Sequence, residues 1–307
     1  MQSDADALSD VLRMVHLRAC IYFVRDMPAP WGMEIPAVAN GPLHMVLDGG
    51  CVLVIDGEQI ALNAGDAVLL PFGAGHQMLD ASETIPEPGQ KVMERLLDRE
   101  YQPPAVSATR MLCGHFDWDI AFEHPMFREL PKVMVVRNIF SGDEAERFRA
   151  IVDLITSESQ HQRPGHSAVA DRMGEVLFVS MLRHWLVANK PAQGLLATID
   201  NPGLSRALHQ IHNLPETALD LNVLARTAGM SRTSFAVQFR DRMGVPPAEY
   251  LARWRMLKAR QMLLQTDLPT SDISGLVGYG SDAAFSRAFK REYGVPPSKV
   301  RPLSRHV

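Results

Sequence analysis

Several features that define other classes of protein are scarce in this chain of 307 residues. It has three cysteines, Cys20, Cys51 and Cys113, and no Cys-x-x-Cys pair. That argues against a disulfide scaffold or a structural zinc site and favours a reducing compartment. No apolar run approaches about 18 residues, and the polar, acidic start MQSDADALSD does not have the pattern of a signal peptide. We therefore expect a cytoplasmic protein without a membrane partner.

The chain also has little net charge, with 31 Lys and Arg against 35 Asp and Glu. From Asp200 onward there are 15 basic and 9 acidic residues, a balance of +6, whereas residues 1–199 have 16 basic and 26 acidic residues, a balance of −10. This asymmetry indicates that only the second half meets a polyanion, with chance segregation of surface charge as the alternative. The length itself predicts two domains.

A repeat with a spacing of 50 residues marks the second half. The segment SRTSFAVQFRDRMGVPP begins at Ser231, and SDAAFSRAFKREYGVPP begins at Ser281. Each copy has the pattern of a helix with a serine N-cap, two phenylalanines four positions apart on one face, and a terminal glycine followed by Pro-Pro. A shorter apolar-faced helix precedes each copy. The sequence therefore predicts two helix-turn-helix units, joined by a helix over AEYLARWRMLKARQMLLQ.

These motifs strongly resemble the AraC/XylS family of bacterial transcription regulators over roughly Leu204 to Arg301. The most specific part is GYGSDAAFSRAFKREYGVPPSKVR, and the segment LARTAGMSR from Leu224 resembles the family's first unit. Gly275 departs from the family, which usually has alanine there. The resemblance implies a sequence-specific transcription regulator whose partner is double-stranded operator DNA, with RNA polymerase as a further candidate partner. A helical interaction protein that does not bind DNA is the alternative.

Residues at the start of the second helix of a helix-turn-helix reach base edges, and flanking basic residues reach phosphates. Arg287 is the best candidate for a bidentate guanine contact, while an apolar residue such as Val237 meets only thymine methyl groups. For each basic residue the alternative is ordinary solvated charge, and Arg255 and Arg291 are interpreted as phosphate contacts or surface charge. The predicted DNA-binding residues are Arg232, Thr233, Ala236, Val237, Arg240, Asp282, Ala283, Ser286, Arg287 and Lys290.

The first half has short apolar runs cut by Gly, Asp and Asn between residues 40 and 80, which predict β-strands. The segment GDAVLLPFGAGH, which ends at His76, has the spacing G-x5-P-x-G-x2-H and resembles the second motif of cupins. With Trp31, His44 and the pair Cys113-Gly114, the pattern resembles the cupin-type sensor domain of one branch of AraC-family regulators. The resemblance implies a jelly-roll barrel and an effector-binding pocket with Trp31, His44 and His76, for an effector that the sequence does not identify.

Cupins are often metalloenzymes, which makes a cupin-fold enzyme with a helical appendage the competing interpretation. A catalytic cupin usually has His-x-His and then Glu in its first motif, but here Met45 and Val46 follow His44. Only His44 and His76 remain, fewer than the three protein ligands of an open metal site. We therefore expect no catalytic residues, no metal and no cofactor.

The segments that follow complete the predicted architecture. Residues 81–108 are polar and proline-rich and predict a long loop. Two apolar stripes then predict a helical hairpin at about 143–190, which packs on the barrel and forms a homodimer interface, with core packing alone as the alternative. The fold class is α+β multidomain. A cupin-like sensor and dimerisation domain spans 8–190, and an all-α domain with two helix-turn-helix units spans 200–303.

The cysteines allow a second kind of trigger. Cys20 and Cys113 are placed much like the paired cysteines of regulators in this branch that respond to reactive chlorine species. If both lie in neighbouring strands, a disulfide between them is a two-state redox switch. The alternative is three buried, unreactive thiols.

Overall fold

The computed structural model describes residues 6–15, 17–98, 109–118, 129–161, 163–215 and 219–300. The chain divides into two compact units. The sheet unit comprises residues 16–119 and 130–189, and the helical unit comprises 1–15, 120–129 and 190–307. The end of the predicted DNA-binding domain, residues 301–303, lies outside the described residues.

Nine strands in the described part of the sheet unit form one curled sheet. The strands are β1 Arg18–Met27, β2 Gly32–Ile35, β3 Gly41–Ile55, β4 Glu58–Asn63, β5 Ala67–Leu69, β6 His76–Leu79, β7 Glu87–Pro88, β8 Thr109–Asp117 and β9 Met134–Val136. The strand order is β1-β8-β3-β6-β2-β7, with β4 beside β3 and β5 between β3 and β9. Strand β3 joins the two halves of the sheet, because residues 41–49 pair with β8 whereas residues 50–55 pair with β4.

Local sequence explains how this sheet turns and closes. The turn between β3 and β4 is Asp56-Gly57, with φ of 51° and 81°, the positive values that a two-residue hairpin turn requires. Gly114 of β8 lies close to β1, because a Cβ there would be 2.5 Å from the carbonyl oxygen of Cys20. A larger residue at 114 would therefore push these strands apart. Apolar side chains from both halves of the sheet, including Phe23, Leu53 and Met78, form the core.

Helix α2, Gly89–Leu97, lies within the segment for which the sequence predicts a loop. That prediction is wrong over these residues, and residues 99–108 lie outside the described part of the chain. Val92 and Leu96 are one turn apart, and both are buried against the core of the sheet. Such a short helix is stabilised mainly by burial of its apolar face, which a proline-rich local sequence does not reveal.

The helical hairpin consists of α3, Ala145–His161, and α4, His166–Asn189. Helix α4 packs closely on β1 at Gly174, where a Cβ would lie 2.6 Å from that of Ala19. Phe148, Ile155 and Leu177 are buried. The hairpin thus covers the sheet with one face of each helix.

The helical unit is built around the repeat. Its helices are α1 Ala7–Val15, α5 Pro202–Asn213, α6 Leu221–Ala228, α7 Arg232–Met243, α8 Pro247–Gln265, α9 Thr270–Leu276 and α10 Asp282–Tyr293, with short 3₁₀ turns at Leu196–Thr198 and Pro297–Lys299. The predicted serine caps are confirmed: the hydroxyl oxygen of Ser231 accepts a hydrogen bond from the backbone N–H of Ser234, and that of Ser281 accepts one from Ala284. The sheet and the two helix-turn-helix units together confirm the predicted fold class.

Helix α1 groups with the helical unit, although its residues precede the first strand in sequence. Its apolar face, with Val11 and Val15 fully buried, packs on α5. The carboxylate of Asp10 accepts a hydrogen bond from Nδ1 of His209 at 2.7 Å. This contact joins residues 199 positions apart, which local sequence patterns do not reveal.

Replacing Gly275 by alanine is expected to stabilise the helical unit by about 0.5–1 kcal/mol, because glycine costs roughly that amount in a helix. The position is exposed, and a Cβ there would have no neighbour within 4 Å in the described structure. Urea denaturation followed by circular dichroism measures the change. Gly278→Ala is the matched control and should destabilise, because Gly278 has φ of +80° and a Cβ would lie 2.8 Å from the carbonyl oxygen of Pro215. A Gly275→Ala variant less stable than the parent would contradict the prediction.

Candidate nucleic-acid interface and ligand cavity

The two predicted recognition helices, α7 and α10, expose the same positions. The phenylalanines at their buried face, Phe235 and Phe239 in α7 and Phe285 and Phe289 in α10, are fully buried. The other faces are open, and the sequence of exposed, half-buried and buried residues is identical over the first nine positions of the two helices. A helix anchored by its aromatic face and free along the other is the arrangement that a helix-turn-helix presents to a major groove.

All ten predicted DNA-binding residues lie on these open faces. Eight are exposed, and Ala236 and Ser286 are half-buried. Val237 is 53% exposed, so its apolar side chain is available to a thymine methyl group. The basic members are Arg232 and Arg240 on α7 and Arg287 and Lys290 on α10, so both helices present positive charge.

Asp282 has a partner that the sequence did not predict. Its carboxylate accepts a hydrogen bond from the hydroxyl of Ser274 at 2.6 Å, and Ser274 is 3% exposed. The contact joins α9 to the first residue of α10 and thereby orients the recognition helix. Ser274 is next to Gly275, where the sequence departs from the family pattern, so this polar link between the two helices lies beside that departure.

Arg255, on the helix α8 that joins the two units, contacts the protein itself. Its Nε donates a hydrogen bond to the carbonyl oxygen of Pro215 at 2.7 Å, and its guanidinium lies 5.9 Å from the ring centroid of Tyr279. The side chain therefore ties the segment before α6 to the second helix-turn-helix. This structural role differs from the phosphate contact or surface charge that the sequence favoured.

The sheet unit contains a cavity of about 310 Å³, within the range of small-molecule pockets. Of the three residues predicted to bind an effector, His44 lines this cavity. His76 lies behind His44, and Trp31 belongs to the apolar core, where it is 3% exposed. The structure brings the two histidines together and places Trp31 apart from the cavity wall.

A chain of hydrogen-bonding groups runs through this wall. Nδ1 of His76 lies 2.8 Å from the carbonyl oxygen of Ala74, Nε2 of His76 lies 2.9 Å from Nε2 of His44, and Nδ1 of His44 lies 3.2 Å from Sγ of Cys113. The pKa of His44 is well below its ordinary value, mainly because the ring is buried and also because His76 is close to it. Burial also lowers the pKa of His76, although its hydrogen bond to Ala74 opposes the change. Both imidazoles are therefore neutral at neutral pH.

The three cysteines are free thiols in different surroundings. Cys20 is half-buried on β1, and burial followed by the carboxylates of Asp171 and Asp117 raises the pKa of its thiol. The pKa of Cys113 is raised well above its ordinary value, mainly by burial and further by the nearby Cys51. The pKa of Cys51 is raised to about 12, mainly by burial and further by the nearby Asp66. Each thiol is thus largely protonated at neutral pH.

The strands that carry Cys20 and Cys113 are neighbours, as the redox hypothesis requires. In the antiparallel pairing of β1 with β8, Cys20 lies opposite His115 and Phe23 lies opposite Cys113. The cysteines are therefore diagonal neighbours, and such pairs are about 7–8 Å apart, at the limit of about 7 Å for a disulfide without backbone movement. Within the described ranges, no cluster of three or more His, Cys, Asp or Glu side chains is arranged to hold a metal ion.

The fold and its exposed helices define a protein with two helix-turn-helix units and a cupin-type sheet. A family model described as a cupin matches residues 6–187, and one described as a helix-turn-helix domain matches residues 224–302. The chain therefore belongs to the AraC-type transcription regulators with an N-terminal cupin domain. It is a DNA-binding regulator and not an enzyme.

Known transcription regulators are similar to this chain, two of them over most of its length. An AraC-like transcription regulator of Streptomyces lividans is 29% identical, over 96% of this chain and 98% of that protein. The RCS-specific transcriptional activator RclR of Escherichia coli is 26% identical, over 86% of this chain and 85% of that protein. The DNA-binding domain of AdpA, solved with a target DNA, is 30% identical over 32% of this chain and 87% of that chain, with a TM-score of 0.30.

None of the described helices has the length and apolar character needed to cross a membrane.

Proposed function

We propose that this regulator reads operator DNA with the open faces of α7 and α10, each placed in a major-groove segment. The observation that carries the proposal is the identical pattern of burial in the two helices, which leaves equivalent positions open in both repeats. Arg287 is the proposed base-reading residue, because it is exposed in the middle of α10 and its guanidinium matches the acceptor pair of guanine. Because the proposed target is operator DNA, we propose that the protein acts in the cytoplasm, with RNA polymerase as a further partner.

Replacing Arg287 by alanine is expected to weaken binding to the operator by about 1–3 kcal/mol and to relax the preference at one base pair. The operator is first selected from a random DNA pool with the full-length protein. Fluorescence anisotropy at two salt concentrations then compares the operator with random-sequence DNA, because phosphate contacts dominate the salt dependence.

Arg291→Ala is the matched control, since Arg291 is exposed on the same helix and lies beyond the base-reading positions. It should weaken binding to both DNAs about equally and reduce the salt dependence. If Arg287→Ala likewise weakens both DNAs by the same factor, Arg287 contacts phosphate and the proposed base contact is wrong.

We also propose that the sheet unit senses a small molecule in its cavity, with His44 in the wall and His76 and Trp31 supporting it. The support is a cavity of suitable volume that a buried polar group lines. Thermal-shift screening of a compound library with the full chain, repeated on a His44→Phe variant that narrows the cavity, tests this role. Hits that stabilise both proteins equally would place the effector elsewhere.

A redox trigger through Cys20 and Cys113 is the second candidate. It is favoured by the pairing of their strands and by the similarity to RclR, which is named as RCS-specific. Carboxylates close to Cys20 act against it, because they disfavour the thiolate that reacts with oxidants. Hypochlorous acid followed by a DNA-binding assay decides the question: a Cys20→Ser variant that responds as the parent does would exclude this switch.

We propose that the outer face of the α3–α4 hairpin joins two copies of the chain. Four apolar side chains on these helices are between 38% and 76% exposed: Leu154, Val169, Val176 and Val187. The three valines share one stripe at helical spacing. Light scattering at micromolar concentration should therefore give twice the chain mass of 34.1 kDa. Val176→Arg should shift the protein towards monomer.

Ile85→Arg is the matched control for the dimer. Ile85 is 88% exposed in the sheet unit but lies outside the hairpin, so the same change of an apolar residue to a charged one should leave the mass unchanged. A monomeric parent, or equal effects of the two substitutions, would contradict the proposed interface.

A further inference from the structure

The cavity of the sheet unit has an uncharged wall. Among the described residues that line it there is no Asp, Glu, Lys or Arg. An ionic ligand would lose its hydration there without gaining a partner, which is costly in free energy. The wall is largely apolar, with side chains such as Phe23, Met33 and Met93. A cavity of about 310 Å³ with such a wall suits a small, uncharged and mainly apolar molecule.

The hydrogen bonds in the wall determine where the protons are. The carbonyl oxygen of Ala74 only accepts, so Nδ1 of His76 carries a proton and its Nε2 is an acceptor. Nε2 of His44 must then donate to His76, which leaves Nδ1 of His44 as an acceptor. The thiol of Cys113 is 3.2 Å from that nitrogen and donates its proton to it. The result is a directed relay from Cys113 through His44 and His76 to the backbone.

In this relay, Nδ1 of His44 is the base that can take the proton of the Cys113 thiol. Burial raises the pKa of the Cys113 thiol, so free thiolate is scarce. A neutral imidazole in hydrogen-bonding distance removes the proton as the sulfur attacks, which is the arrangement of a base-assisted nucleophile. When Nδ1 of His44 takes that proton, Nε2–H still points at the acceptor nitrogen of His76, which stabilises the imidazolium.

A residue of the same wall has a polar atom without a partner in the described structure. Nδ1 of His115 is buried and has no hydrogen-bond partner in the described structure, while its Nε2 is 3.1 Å from a carboxylate oxygen of Asp117. His115 lines the cavity together with Cys113. A buried nitrogen without a partner is costly unless a ligand supplies one. The occupant is therefore expected to have one polar atom besides its apolar body.

We infer that Cys113 is a covalent modification site for small, uncharged electrophiles of the α,β-unsaturated carbonyl class, with His44 as its base. A bond forms between Sγ and the β-carbon, and the π electrons move to the carbonyl oxygen to give an enolate. The thiol proton passes to Nδ1 of His44 and then to the α-carbon of the enolate. There is no leaving group and no net oxidation. The role of Cys113 as an effector site rests on the proposed sensing function. The modification chemistry itself depends only on the cavity and the relay.

The test compares two maleimides on the full-length protein, with mass spectrometry reporting each cysteine separately. N-ethylmaleimide is uncharged, and a maleimide that carries a sulfonate has the same reactive group with a negative charge. Half-exposed Cys20 should react with both, and Cys51, buried outside the cavity wall, with neither. The ratio of neutral to charged reaction rates should be at least about tenfold higher at Cys113 than at Cys20.

The role of His44 is tested in the same experiment. His44→Gln should slow N-ethylmaleimide at Cys113 by about 100-fold, a typical effect of general-base assistance, while the Cys20 rate stays unchanged and reports that the fold is intact. If the variant does not fold, the parent's pH profile between pH 7 and 9 replaces it. The Cys113 rate should level off there, whereas the Cys20 rate should rise about tenfold per pH unit, following its thiolate.

Three results would overturn the inference. The first is no reaction at Cys113, and the second is the same charge selectivity there as at Cys20. The third is a Cys113 rate that His44→Gln leaves unchanged or, if that variant does not fold, one that rises with pH as the rate of a simple thiol does. A separate arm measures DNA binding of Cys20→Ser protein before and after N-ethylmaleimide. Modification of Cys113 with unchanged DNA binding would reject the sensing function while leaving the modification site in place.

Discussion

Replacing Phe289 by alanine is expected to destabilise the second helix-turn-helix by about 3–5 kcal/mol, the usual cost of truncating a buried phenylalanine. Phe289 is fully buried, with its ring centroid 5.7 Å from that of Phe285 and 4.8 Å from that of Tyr293. A loss of this size is a large fraction of the stability of an ordinary domain, about 5–15 kcal/mol. We therefore expect α10 to lose its fixed position and the operator footprint to shrink to the part that α7 covers.

Chemical denaturation and footprinting of the full-length protein measure these effects. Phe239→Ala is the equivalent change in the first repeat, and it should remove the other part of the footprint. Lys290→Ala is the control for the stability measurement, because Lys290 lies on the same helix but is exposed. It should change the free energy of unfolding by less than about 0.5 kcal/mol. A Phe289→Ala variant that loses less than about 1 kcal/mol and keeps the complete footprint would show that this residue does not anchor the helix.

Lowering the pH from 7.5 to 5.5 is expected to destabilise the sheet unit by about 1.5–3 kcal/mol, because one pKa unit corresponds to about 1.4 kcal/mol for each histidine. His44 and His76 both have pKa values below the ordinary 6.5 in the folded state. The unfolded chain therefore binds their protons at higher pH than the folded chain does. Stability is fully present above pH 6.5 and is lost as the pH falls from there towards the folded-state pKa values. Urea denaturation at several pH values measures this loss.

His44→Gln should reduce this pH dependence by about 1.4 kcal/mol over the same interval. His212 in the helical unit also has a lowered pKa, chiefly from burial and against the carboxylate of Asp10, which lies 3.6 Å from its Nδ1. Both units therefore contribute to the pH dependence of the whole chain's stability. If stability is constant between pH 7.5 and 5.5, the buried histidines are not neutral in the folded protein.

The sheet unit shows where sequence reasoning reached its limit. Short apolar runs between residues 40 and 80 predict strands, and the segment from Gly65 to His76 resembles a cupin motif, so the sequence indicates a cupin-type sheet. Helix α2 was missed, because its stability depends on Val92 and Leu96 meeting a core that is built from distant strands. The cavity wall was anticipated in part: His44 lies in it, but the thiol that it contacts is 69 positions away.

Local sequence is sufficient to predict the helix-turn-helix pair, because serine caps, phenylalanines one helical turn apart and terminal glycines act within a few residues of one another. Burial then follows the same order in both copies. Which polar groups meet depends instead on the tertiary fold. Strand pairing brings His44 to His76 and Cys113, and helix packing brings Asp10 to His209, across 32 to 199 positions. Such contacts depend on strand order and packing, and no local period in the sequence encodes them.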